Sequence, residues 1–172
     1  MQVLQVVGYK NSGKTTLVAK LVELFTKAGH RVGALKHHGH GGQPVGWVDT
    51  DSAKQSAAGA LLSGVEGDGI LQLAATAWDL DTLIELYRFA TIELLIVEGY
   101  KEADYPKIVL IRNQEDLPLL TSVTNCKAIV SAIPLEEKPS CAVYSYEEMD
   151  HWVASVDIAH LNRAMFAIDL LF

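Results

Sequence analysis

Gly8-Tyr9-Lys10-Asn11-Ser12-Gly13-Lys14-Thr15 is the stretch on which the reading of this chain turns. It fits GxxxxGK[ST], a pattern in which each fixed position has a task in cradling a polyphosphate. Gly8 and Gly13 permit backbone angles and close approaches that a Cβ would block. Successive N–H groups then face inward as an anion nest, and the helix that follows adds the positive end of its dipole. Lys14 reaches the β and γ phosphates, and Thr15 offers its hydroxyl to magnesium. Tyr9, Lys10, Asn11 and Ser12 complete the loop, and Thr16 follows it. A plain glycine turn is the alternative. The flanks argue against it, because an apolar run, Val3 to Val7, precedes the loop. After it Leu17, Leu21, Leu24, Phe25 and Ala28 recur at helical spacing until Gly29 supplies a stop.

Outward from this unit, β-rich runs alternate with helical patterns, which predicts an α/β fold of the P-loop NTPase type. Its sheet is mostly parallel, with helices on both faces. Further strands are expected at Arg31 to Lys36, Ile70 to Leu73, Ile92 to Glu98, Lys107 to Arg112, Ala128 to Ile133 and Cys141 to Tyr144. The continuous apolar stretch ending in Glu98 suits a strand buried on both faces. Asp51 or Ser52 is positioned to cap a short helix ending at Gly59, Asp79 or Asp81 to start another, and a last helix is expected from about Glu147. His37-His38-Gly39-His40-Gly41-Gly42-Gln43-Pro44 reads as an exposed loop. With 172 residues and no linker, repeat or low-complexity tract, residues 1–172 are expected to form one domain.

A net charge of −7 argues against general affinity for nucleic acid or an anionic membrane, since both demand a positive surface. No apolar window reaches membrane-spanning length and the first residues lack a basic leader, so a cytoplasmic protein is expected. Cys126 and Cys141 lack CxxC spacing and read as buried thiols.

A phosphate loop needs an acidic partner, and Glu98 stands at the carboxyl end of a buried strand, the edge on which an open α/β sheet binds its ligand. There it takes the Walker-B role, orienting a magnesium-bound or attacking water. A solvated strand end before a Gly99 turn is the plain alternative. Lys36, His37, His38 and His40 follow the second strand onto the same edge, as contacts for phosphate or a second anion, as transition-metal ligands, or as solvated loop residues. Asp49 and Asp51 are candidates to face magnesium or the γ phosphate, Asp51 being the stronger of the two although helix capping also explains it.

The combined residues resemble the molybdopterin-guanine dinucleotide biosynthesis protein B (MobB) family. The resemblance is carried by Val6 to Leu17 with its phosphate loop, Lys36-His37 with His40, Asp51-Ser52 leading to Ala58-Gly59-Ala60, and Leu95-Ile96-Val97-Glu98-Gly99-Tyr100-Lys101. Order and spacing agree over about residues 1 to 112. It implies a homodimeric P-loop adapter that binds GTP with magnesium, hydrolyses it slowly at most, and assists a separate guanylyltransferase that joins GMP to molybdopterin. On this reading Lys14, Thr15 and Thr16 handle phosphates and magnesium, Glu98 is the Walker-B residue, and Asp51 lies near the metal. Lys36, His37 and Lys101 line a mouth for a pterin phosphate. Two features depart from the pattern. No NKxD run reads guanine, which leaves Arg112-Asn113 as a weak candidate for the base side, and Gly39, Gly41 and Gly42 dilute the histidine loop. Tyr9 stands where the signature lysine of the deviant P-loop group would be. A small-molecule kinase is the enzymatic alternative, although no arginine-rich lid stands out. A GTPase metallochaperone using His37, His38 and His40 is the metal-binding one.

Overall fold

Apolar runs long enough to bury both of their faces form the centre of a six-stranded parallel sheet. The computed structural model describes residues 1–39, 50–136 and 139–155. In chain order its elements are β1 (Gln2–Val7), α1 (Lys14–Lys27), β2 (Val32–Lys36), α2 (Asp51–Ala57), β3 (Leu62–Gly67), β4 (Ile70–Ala75), α3 (Leu80–Phe89), β5 (Leu94–Glu98), β6 (Lys107–Ile111), α4 (Pro118–Ser122), β7 (Cys126–Ser131), β8 (Ala142–Tyr144) and α5 (Tyr146–Ser155), with a 3-10 turn at Gln114–Asp116. The fold is α/β and P-loop NTPase-like, as the sequence predicts. Two compact units are present, one made of Met1–His37 with the chain from Leu86 onward, the other of His38–Glu85. Composition carries no linker signal at either division.

In the first unit the strand order is β2-β5-β1-β6-β7-β8, every neighbouring pair parallel. Side-chain alternation sorts the apolar residues onto two faces. Leu4, Val6, Leu94, Ile96, Ile108, Leu110 and Val130 pack under α1 and α5, where Leu21 and Phe25 are fully buried. Val7, Val109, Ile111 and Ile129 pack on the opposite face against Leu119 of α4. Two polar side chains are buried in neighbouring register positions, Gln5 and Lys107. Gln5 Nε2 donates to Gly99 O and Tyr100 O, and Lys107 Nζ donates to Ala103 O and Thr124 O. Both satisfy carbonyls of irregular chain that no strand pairs. Burial pushes the Lys107 ammonium below its usual range, against the pull of Asp104. The two thiols prove to be half-buried neighbours, with Cys126 Sγ 3.3 Å from Cys141 Sγ.

The second unit contains α2 and an antiparallel β3–β4 hairpin closed by Asp68 and Gly69, both at positive φ. Ser63 on one face bonds Ser56 of α2 at 2.9 Å. Register places Leu62, Leu71 and Leu73 together on the other face, and all three are exposed.

Several local expectations are corrected. The strand at Ile70–Leu73 is half of a hairpin whose first strand was missed. Thr50, rather than Asp51 or Ser52, caps α2 by accepting from Ala53 N at 3.1 Å. Of the two residues expected to start α3, Asp79 does so, accepting from Thr82 N at 2.8 Å, in agreement with the expectation. The strand before Glu98 begins at Leu94, and the seventh strand ends at Ser131. The last helix starts at Tyr146, fixed by a capping box in which Ser145 and Glu148 bond each other's backbone N–H. Among the described residues no helix is long and apolar enough to cross a membrane.

Candidate functional site

The phosphate loop leaves β1 at Val7 and enters α1 at Lys14. Gly13 caps the helix in the left-handed region, φ 87°, and makes no side-chain cap of the first-turn N–H groups. Gly8 is required by close approach, since a Cβ there would lie 2.4 Å from Ser12 Oγ and 3.2 Å from Leu110 O. Lys14 arches back over the loop, donating from Nζ to Tyr9 O at 2.6 Å with Ser12 Oγ at 3.5 Å. Burial lowers the pKa of its ammonium; nearby Glu98 opposes this, while Lys36 and Arg112 add to it. An anion in the loop would relieve that strain directly.

At the carboxyl edge of the sheet three predicted residues converge. The parallel pairing of β2 with β5 sets Lys36 opposite Glu98, and Thr15, the second residue of α1, meets them. Thr15 Oγ1 lies 3.1 and 2.9 Å from the two Glu98 oxygens. Lys36 Nζ lies 3.0 Å from Glu98 Oε1 and donates to Thr15 Oγ1 at 3.0 Å. The carboxylate is 8% exposed and the lysine side chain 60% exposed. A buried carboxylate is tolerated because it is paired and hydrogen-bonded. The donor set, a hydroxyl and a carboxylate already gathered around a cation, fits magnesium, which takes hard oxygen ligands.

Beside this junction lies the Glu98–Lys101 turn, which carries residues expected from the sequence to line a mouth. Gly99 has φ 100° and lies so near His37 that a Cβ would meet His37 Cβ at 3.0 Å. Tyr100 also has positive φ, 51°. Its ring packs on His37 at 4.1 Å between centroids, and Lys101 Nζ stands 5.7 Å from the Tyr9 ring centroid. The turn is held by Gln5, a residue that the sequence reading passed over. A glutamine inside an otherwise apolar strand was the available signal.

Two more residues were missed. Tyr146 Oη donates to Ser12 O at 2.9 Å, which ties the start of α5 to the phosphate loop. Asp116 accepts from Arg112 N at 2.8 Å and from its guanidinium at 3.3 Å. Arg112, a candidate for the base side, is therefore committed to a buried carboxylate. A cavity of about 150 Å³ lies between α1 and α5, lined by Gly13, Thr16, Lys20, Tyr146 and Asp150 among others. Lys10 and Asn11 are exposed in the loop, Asn11 at φ 62°.

Asp51 belongs to the second unit, in the first turn of α2, where Lys54 pairs with its carboxylate at 2.9 Å. His38 is exposed in the same unit, and His40 and Asp49 lie outside the described residues. Among the described residues no three His, Cys, Asp or Glu side chains gather as a metal site.

The family model for molybdopterin guanine dinucleotide synthesis protein B, MobB, matches residues 3–132. The chain belongs to the MobB family. It is similar, at 47% identity over 130 residues (74% of this chain, 75% of the other), to the Bacillus subtilis (strain 168) protein named "Probable molybdopterin-guanine dinucleotide biosynthesis adapter protein". The Haemophilus influenzae molybdopterin-guanine dinucleotide biosynthesis adapter protein is 32% identical over 136 residues, 77% of this chain and 76% of that one. Among solved structures, Bacillus subtilis MobB aligns with a TM-score of 0.74 at 37% identity, over 91% of this chain and 99% of that chain. The matched residues 3–132 include the MobB phosphate loop, Lys36 and the Glu98–Lys101 turn.

Proposed function

We propose that this MobB family member is an adapter in molybdopterin-guanine dinucleotide biosynthesis that binds GTP with magnesium and assists a separate guanylyltransferase. The observation that carries the reading is the junction of Thr15, Glu98 and Lys36 beside a glycine-walled phosphate loop. Lys14 would hold the β and γ phosphates, with Thr16 following in the first turn. Thr15 and Glu98 would hold magnesium, which when bound neutralises charge between phosphate oxygens. Glu98 is buried and tightly paired, which suits holding a water in place. The loop carries no arginine to stabilise a leaving phosphate, which supports GTP hydrolysis that is slow at most. Lys36, His37 and Lys101 line the mouth, where a phosphate of molybdopterin is the proposed second ligand.

A second copy of the chain is the proposed partner of the hairpin face at Leu62, Leu71 and Leu73, giving a homodimer. Exposed apolar residues in register on a two-stranded sheet favour a protein partner there. The kinase alternative gains no support, because Arg31 pairs with Glu93 and Arg112 with Asp116. Adding the purified chain to a guanylyltransferase forming the guanine dinucleotide from GTP and molybdopterin tests the adapter role. Stimulation that disappears with Lys14→Ala is expected, and equal rates with and without the chain would contradict the role.

A further inference from the structure

Lys36 stands where the proposed function places a metal. Its ammonium is 3.0 Å from Glu98 Oε1 and 3.0 Å from Thr15 Oγ1, and Thr15 Oγ1 is itself within 3.1 Å of both carboxylate oxygens. A hard divalent cation needs the same hydroxyl and carboxylate oxygens. Two cations cannot share them, since like charges about 3 Å apart repel strongly at a partly desolvated site. The two partners of the ion pair are held very differently. Glu98 ends a strand whose every residue is buried, whereas Lys36 ends β2 with an exposed side chain. The carboxylate is fixed by packing, and the ammonium can swing on its flexible four-carbon stem without opening the core.

We propose that Lys36 is a built-in competitor for the divalent cation, and that binding of metal and nucleotide displaces its ammonium toward the mouth formed by His37, Tyr100 and Lys101. The inference rests on the nucleotide-binding reading and deepens it. Lys36 neutralises Glu98 when no metal does, which keeps a buried carboxylate paired. It also holds metal affinity below what Thr15 and Glu98 alone would give. Once displaced, the same charge stands beside Lys101 and is available to an anionic second ligand, so metal–nucleotide and the second ligand favour each other's binding reciprocally.

The test is Mn2+ affinity, read by electron paramagnetic resonance on the GTP-loaded chain, which needs no turnover. Lys36→Met is expected to bind Mn2+ roughly three- to tenfold more tightly than the unaltered chain, the effect of removing one competing charge. Lys36→Gln should behave likewise, while Lys36→Arg, which keeps the charge, should show no tightening. Lys27→Met removes one charge from an exposed pair with Glu23 and controls for net charge. Equal or weaker Mn2+ binding in both neutral variants, with GTP still bound, would overturn the competition and leave the nucleotide reading standing. Failure of the unaltered chain to bind GTP at all would overturn both.

Discussion

The six-stranded sheet and the β3–β4 hairpin draw on similar side chains and use them in opposite ways. In β5, Leu-Leu-Ile-Val-Glu, every residue is buried, because layers cover both faces. In β4, Ile-Leu-Gln-Leu-Ala-Ala, Ile70 is 72% and Leu71 60% exposed. Apolar composition marks a strand, but only the covering layers decide whether it becomes core or surface. The sheet uses its burial to fix the edge that carries Thr15, Lys36 and Glu98. The hairpin leaves an apolar face exposed.

The sharpest way to break this contrast is to truncate one large apolar residue in each region. Phe25→Ala in α1 removes a fully buried ring and should cost about 3–5 kcal/mol in urea denaturation. A loss below about 1 kcal/mol would mean that the α1 face is not tightly packed.

The carboxylates offer the same contrast in polar form. Asp116 is buried and Asp51 exposed, and each is paired with a cation. Burial would raise the Asp116 pKa, but bonds from Arg112 N, the Arg112 guanidinium and the backbone at Asn113 outweigh it and hold the carboxyl below its usual range. A depressed folded pKa stabilises above the unfolded value of about 3.9 and stops doing so as pH falls through the folded value. Asp116→Asn should therefore cost about 1–3 kcal/mol at neutral pH, with the two stability curves converging in acid. Asp51→Asn should change stability by less than about 0.5 kcal/mol. Curves that stay parallel in acid would show that the Asp116 charge is not the source.

The smallest folding effect is expected in the hairpin. Leu71→Ser should alter the stability of the single chain by less than about 0.5 kcal/mol, yet shift sedimentation toward monomer. Unchanged sedimentation as a dimer would place the interface elsewhere.

What the sequence made legible follows the same division. The phosphate loop, α1, Lys36 and the strand ending in Glu98 were readable because fixed spacing and continuous burial leave a pattern in the residues. Strand β3, Leu-Ser-Gly-Val-Glu-Gly, was not, since two glycines and two polar residues erase its alternation. Asp68-Gly69 was the hairpin signal that could have found it. Long-range polar contacts left no local trace. Tyr146 reaches Ser12 across 134 residues, and Gln5 reaches Gly99 across 94. Arg112-Asn113 was only a weak candidate for the base side, and the pairing of Arg112 with Asp116 lies past a turn whose geometry composition does not reveal. The pairing of Lys36 with Glu98 needed strand order, which no motif supplies.

The most direct test of the phosphate-loop account is calorimetric titration with GTP and with ATP in the presence of magnesium, on the unaltered chain and on Lys14→Ala. The account predicts micromolar binding, on the order of −8 kcal/mol, for GTP over ATP. It also predicts that Lys14→Ala loses that binding while its thermal unfolding is unchanged. Equal binding of GTP by Lys14→Ala would contradict it.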